Sequence, residues 1–187
     1  MAVYFGCVVP TIQYGYEMSV REVLPKIGVD LYDLENVSCC GTPVRSVNSF
    51  ASLYLSARNL AIAEKTGLDN LLVVCNGCHL SLSEAKHFLG KDEKLRAKIE
   101  ALLREEGLEY KGKIQLWHVV DFLHDMIKGD VIKNSVRKPL TGLKFVSHYG
   151  CHILRPSTMK RVDDAENPQK LDDLIRLLGA EALEYPE

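Results

Sequence analysis

The residues of this chain best suited to chemistry are its cysteines. Cys75-Asn76-Gly77-Cys78 is a CxxC set where an apolar run gives way to a helical pattern. Amides at a helix N-terminus favour thiolate over thiol, as a metal ligand or a redox nucleophile requires. Alone, the motif fits a zinc half-site, a thioredoxin-like dithiol or a corner of an iron–sulfur cluster. Cys7, Cys39 and Cys40 weigh on that choice. A dithiol centre needs none of them, and a structural zinc site usually offers two CxxC-like knuckles where only one is present. Adjacent cysteines are hard to place on one tetrahedral zinc but can serve two irons of a cluster. A zinc-binding or thiol-sensing module without a cluster stays open. The sixth, Cys151, reads equally well as a buried free thiol.

Other side chains are weaker candidates. His79 follows the CxxC directly, and His148 and His152 flank Cys151. Each could donate a hydrogen bond to a cluster sulfur, but a surface or capping role is the commoner one for histidine. Arg45 and Arg155 could attract an acidic disulfide substrate; solvated basic residues are the simpler reading. Tyr14 and Tyr16 read as packing residues, and Lys91–Glu106 as a solvated helical face. No phosphate loop, GxGxxG or Ser-His-Asp arrangement occurs.

The elements that must position the cysteines alternate. Ala2–Gly6 reads as a strand ending at Cys7. Val20, Val23, Leu24 and Ile27 make a helical stripe that Gly28 ends, and Val29–Leu34 reads as a second strand. A helix through Leu53, Ala57, Leu60 and Ala61 stops at Gly67. Leu71–Val74 is an all-apolar run of the kind buried on both faces of a parallel sheet. A helix from about Gly77–Ser81, another over Lys91–Glu106, a strand Ile114–Trp117 and a helix Val119–Ile127 follow. Gly129–Gly142 reads as a linker, Lys144–Ser147 as a strand, and Leu171, Leu174, Ile175 and Leu178 as a last helix closed by Gly179. This predicts an α/β fold, a largely parallel sheet flanked by helices. Each cysteine group follows a strand, so the cysteine loops fall at the carboxyl ends of the strands, where ligands of such sheets bind.

Composition agrees with such a core: 47% of residues are hydrophobic and the formal charge is −2, which gives no reason to expect nucleic acid as a partner. No segment approaches the roughly 18 apolar residues of a membrane span. MAVYFGCVVP lacks the pattern of a signal peptide, so a cytoplasmic protein in a reducing compartment is expected, with thiols available for metals rather than disulfides.

Thirty-one residues separate Cys7 from Cys39 and 34 separate Cys40 from Cys75. With FGC, SCCGTP, ARNLAIAE and VCNGC, this pattern resembles the cysteine-rich CCG domain found in the B subunit of heterodisulfide reductase and in related subunits of succinate, glycolate and glycerol-phosphate oxidoreductases. It looks most like the heterodisulfide reductase form. The resemblance implies that Cys7, Cys39, Cys40, Cys75 and Cys78 ligate a noncubane [4Fe-4S] cluster and act in catalysis through it. It implies a small-molecule disulfide substrate, such as the CoB–CoM heterodisulfide, attacked by two such domains in tandem. The partners implied are a ferredoxin-like iron–sulfur subunit and a flavoprotein subunit. An electron-conduit subunit of another oxidoreductase is the nearest rival.

The chain also echoes itself. Tyr4-Phe5-Gly6-Cys7 with Pro10 matches His148-Tyr149-Gly150-Cys151 with Pro156, and each copy is followed by a leucine-rich helix ending in glycine. Cys39 lies 11 residues after Gly28; 11 residues beyond Gly179 is position 190, past Glu187. The expected organisation is a first CCG domain over residues 1–140 and the beginning of a shortened second one over 141–187. Cys151 would then be the first ligand of an incomplete second site, and the chain alone would hold one cluster and not complete the reaction.

Overall fold

The computed structural model describes residues 1–184. Four short strands, β1 (Ala2–Tyr4), β2 (Tyr32–Asp33), β3 (Asn70–Val73) and β4 (Gln115–His118), form one sheet in the order β2-β1-β3-β4. All pairings are parallel, with Ala2 beside Leu71, Tyr4 beside Val73, and Val73 beside His118. The two central strands are apolar almost throughout because helices cover both their faces. Their side chains alternate. Ala2, Tyr4, Leu71 and Val73 pack with Leu60, Leu82 and Ile99 on one face, while Val3, Leu72 and Val74 pack with Val9, Val20 and Leu24 on the other.

The first face is covered by α3 (Ser49–Lys65), α4 (Asn76–Lys91) and α5 (Glu93–Glu105), the second by α1 (Val8–Ile12) and α2 (Tyr14–Lys26). Asn48 caps α3 by accepting from the Ala51 amide at 2.9 Å. The helix expected over 91–106 is present as α5, beginning two residues later. α4 runs on to Lys91, and Asp92 turns the chain and caps α5 by accepting from the Leu95 amide at 3.0 Å. Val29–Leu34 contributes only the two exposed residues of β2, an edge strand.

After β4, helix α6 (Val119–Asp121) runs into a π-helical turn, Phe122–Met126. The expected linker 129–142 instead begins with a helix, α7 (Gly129–Ser135), because Ile132 has a core to enter and is buried. Strands β5 (Lys144–Val146) and β6 (Glu181–Leu183) pair in parallel as a second, two-stranded sheet, with α8 (Cys151–Leu154) and α9 (Lys170–Leu177) between them. Tyr149, Ile153 and Val162 form a small core against Val120. Among the described residues no helix is long and apolar enough to cross a membrane.

Candidate metal centre

Sheet order decides which cysteines meet. β1 and β3 are neighbours, so the turn carrying Cys7 and the turn carrying Cys75 and Cys78 leave the same carboxyl edge side by side. Cys7 and Cys75 are the residues on which α1 and α4 begin, and Cys78 lies in the first turn of α4. Gly6, at φ +71°, brings backbone against sulfur: a Cβ there would lie 2.7 Å from Cys78 Sγ.

Cys39 and Cys40 arrive from the loop after β2, and α3 holds them. Asn59, fully buried, accepts from the Ser38 amide at 2.9 Å and donates to the carbonyls of Ser38 (3.1 Å) and Cys39 (3.3 Å). The Tyr4 hydroxyl donates to the Ser38 carbonyl at 2.7 Å, and Ser56 donates to that of Cys40 at 2.6 Å. Gly41 follows at φ +88°, where a Cβ would stand 2.7 Å from the Ser52 backbone. The glycine of the Cys-Cys-Gly run is therefore what lets the loop lie on α3.

Five sulfurs gather here. Cys7 and Cys39 approach to 4.0 Å. The Cys78 thiol hydrogen-bonds both Cys40 and Cys75, and Cys40 Sγ also meets Thr42 Oγ1 at 3.1 Å, itself 2.7 Å from Ser81 Oγ. The Cys78 bond, with help from Thr42, holds Cys40 down to about 5 against its burial. Cys75 is held to about 6 by the same thiol and by the backbone amides of Cys78 and Gly77. Hydrogen bonds to Cys40 and Cys75, with burial, push Cys78 far up, and burial raises Cys39. Burial, then the sulfurs of Cys78, Cys40, Cys39 and Cys7, keeps the Tyr4 hydroxyl protonated.

All six cysteines are free thiols; Cys40 and Cys78 are buried, Cys39 and Cys75 half-buried, Cys7 and Cys151 exposed. Among the described residues no three Cys, His, Asp or Glu side chains converge as one ion would need. The sulfurs form a pair, Cys7 with Cys39, and a chain, Cys40–Cys78–Cys75. This donor set fits a polynuclear iron–sulfur group: soft sulfur ligands only, two of them thiolate near neutral pH, with adjacent cysteines able to serve different metals.

The remaining candidates fall elsewhere. Cys151 opens α8, whose segment lies on the first turn of α4; Asn76 Nδ2 donates to the Tyr149 carbonyl at 3.3 Å. That exposure corrects the reading of Cys151 as a buried thiol. His152 lies beside Gly77. His79 is neither a surface nor a capping residue: it is 4% exposed, with its ring edge-on to His118 at 5.6 Å between centroids. Arg45 is paired with Glu84 at 2.7 Å and Arg155 with Glu166 at 2.8 Å, so both have protein carboxylates as partners. Tyr16 reaches over the sheet edge, its hydroxyl donating to the Val74 carbonyl at 3.1 Å, whereas Tyr14 is exposed rather than a packing residue. Sequence reasoning missed Tyr4, Asn59, Thr42 and Ser81. One signal was available for Asn59, an amide inside the otherwise apolar NLAIA face of α3.

Comparison with known proteins places these features in context. The cysteine-rich domain family CCG matches residues 1–83. The chain is 34% identical, over its full length, to the B subunit of a ferredoxin/F420H2-dependent CoB–CoM heterodisulfide reductase from Methanosarcina acetivorans. It is 33% identical over its full length to the B subunit of the ferredoxin:CoB–CoM heterodisulfide reductase of Methanosarcina mazei. Over 98% of its length it is 31% identical to the membrane anchor subunit of an 8-methylmenaquinol:fumarate reductase from Wolinella succinogenes, covering 63% of that protein. The chain spans about 62% of the length of the two heterodisulfide reductase subunits. A crystal structure of a hypothetical protein from Helicobacter pylori superposes with a TM-score of 0.72 over 99% of this chain and 32% of that one; at 16% identity this is a likeness of fold.

Proposed function

We propose that this chain, whose residues 1–83 match the CCG cysteine-rich domain and which is 33–34% identical to B subunits of heterodisulfide reductases, is the cluster-bearing portion of an iron–sulfur oxidoreductase subunit acting on a small-molecule disulfide. The observation that carries this reading is the convergence of five free thiols on one sheet edge, two of them poised as thiolates. Cys7, Cys39, Cys40, Cys75 and Cys78 would hold a noncubane [4Fe-4S] group. When bound, such a group supplies electrons to, and a landing place for, the sulfurs of the substrate. The chain's own part is to orient ligands. Thr42 and Ser81 fix the Cys40 sulfur by hydrogen bonds, Tyr4 and Asn59 fix the backbone that presents Cys39, and the exposed Cys7 leaves that side of the site open. The substrate is the CoB–CoM heterodisulfide or a related disulfide. The partners are a ferredoxin-like iron–sulfur subunit and a flavoprotein subunit, and the complex works in the cytoplasm. A second CCG domain begins at about residue 141, with Cys151 as its first ligand.

The likeness to a membrane anchor subunit of a menaquinol-linked reductase favours one alternative, an electron conduit that never meets a disulfide. Metal analysis tests the shared premise. Anaerobic reconstitution should give about four irons and four acid-labile sulfides per chain, lost in Cys39→Ser and Cys78→Ser. Zinc alone, or no metal on an intact fold, would sink it. Rapid oxidation of the reduced chain by a heterodisulfide, against none by a quinone analogue, separates the disulfide reading from the conduit.

A further inference from the structure

Away from the sulfurs, on a different side of α4, four charged or polar side chains are buried together. His79 is 4% exposed, His118 3%, Asp121 5% and Arg161 8%. Cys78 and His79 are consecutive on the helix, so their side chains point about 100° apart. Five buried side-chain atoms lack a hydrogen-bond partner among the described residues: His79 Nδ1, His118 Nε2, Asp121 Oδ1, and Arg161 Nε and Nη1. All five belong to this one cluster. Folded proteins leave very few such groups unpaired, so orphans collected in one place point to a missing partner.

Three of these residues, His79, Asp121 and Arg161, line a cavity of about 190 Å3, larger than a single water needs. The donors are fixed in kind. Arg161 has its Nη2 engaged on the His152 carbonyl and turns two donor nitrogens, Nε and Nη1, to no acceptor among the described residues. His118 Nδ1 accepts from the Val120 amide at 3.3 Å, so the ring proton sits on Nε2, a further donor without an acceptor behind His79. Asp121 Oδ1 is an acceptor without a donor. Charge is positive in excess. Lys86 and Lys160 also line the cavity, and Glu84, near Arg161, is already paired with Arg45. Water would satisfy the hydrogen bonds but leave Arg161, Lys86 and Lys160 beside the single Asp121 carboxylate of the cavity.

We propose that this cavity binds inorganic hydrogen phosphate, with Arg161 donating to its oxygens and Asp121 accepting from its hydroxyl. A guanidinium edge matches two oxyanion oxygens at once. The Asp121 acceptor adds selectivity, since sulfate offers acceptors only and would face the carboxylate with no proton to share. Occupancy would also steady the Cys151 segment, because Arg161 holds the carbonyl of His152.

The test uses the full chain in mildly alkaline buffer, titrated with inorganic phosphate, glycerol phosphate and sulfate at matched ionic strength. The readouts are the ring nitrogen resonances of His79 and His118 and the melting temperature. Saturable shifts with inorganic phosphate are expected, with sulfate and glycerol phosphate, neither of which carries an acidic hydroxyl in this buffer, binding about tenfold or more weakly. Glycerol phosphate keeps the phosphate's charge without the acidic hydroxyl and so isolates the part played by Asp121. Arg161→Gln should weaken both anions; the near-isosteric Asp121→Asn, which keeps the fold, should erase the preference for phosphate over sulfate. A folded wild-type chain with no saturable response to inorganic phosphate overturns the proposal. So does an equal response to sulfate that neither substitution alters.

Discussion

A Cβ at position 41 would meet the Cα and the carbonyl oxygen of Ser52 at 2.7 Å, on backbone already at φ +88°. Gly41→Ala should therefore cost about 1–3 kcal/mol from the backbone conformation alone. The collision is with backbone, so the loop, not a flexible side chain, has to move. A lower melting temperature with less reconstituted iron is the expected result; a folded variant with full iron content would show that loop position does not govern ligation. Asp121 offers a pH test. Burial, ahead of all other influences, raises its carboxyl from 3.8 to about 7. Above pH 3.8 the unfolded chain releases this proton while the folded chain keeps it, so the residue subtracts stability as pH climbs from about 4 to about 7. In phosphate-free buffer the stability of Asp121→Asn relative to wild type should grow across that window and level off above it. Urea midpoints that track in parallel from pH 4 to 7 would refute the assignment. His118, lowered by burial from 6.5 to about 4, acts in the opposite sense in both proteins and cancels in the comparison.

At the level of elements, α3 is as much a part of the centre as the loops are, because Asn59 reaches from it to three backbone groups of the Ser38–Cys39 segment. Asn59→Ala would orphan buried amide and carbonyl groups at about 1–3 kcal/mol each. Reduced iron binding and faster amide exchange at residues 37–41, with helix content unchanged by circular dichroism, are expected. Wild-type exchange in that segment would mean the tie is incidental. The main elements were legible because buried central strands and amphipathic helices write their burial into sequence: Leu71–Val74 and the Leu60–Ala61 stripe could hardly be read otherwise. The five converging cysteines were legible for a related reason, since each follows a strand and parallel strands end together. What escaped depends on contacts between distant residues. β2 shrank to two residues because an edge strand is defined by its pairing. α7 forms because Ile132 meets a core that the local sequence does not display. The buried His79 and His118 were unreadable because a histidine carries no mark of what will surround it.

For the molecule as a whole, the two sheets meet through the segment from Tyr149 to Val162, which packs on Val120 and hydrogen-bonds Asn76 at the head of α4. If residues 1–140 are a domain, expressed alone they should still reconstitute about four irons per chain, but with a lower melting temperature, since Tyr149, Ile153 and Val162 no longer cover Val120. A fragment that folds yet takes up no iron would make residues 141–187 part of the first site. Gly6 carries a different consequence. Its missing side chain lets one strand's turn lie on the Cys78 sulfur, 72 positions further along the chain, so the full set of five thiols is not preassembled by local sequence. During synthesis the N-terminal strand emerges first, and the five-sulfur set is incomplete until the CxxC turn has left the ribosome and its strand has paired beside it. Cofactor loading is thereby ordered after long-range chain closure, and a delivery system for this protein would have to recognise a folded acceptor rather than a nascent peptide.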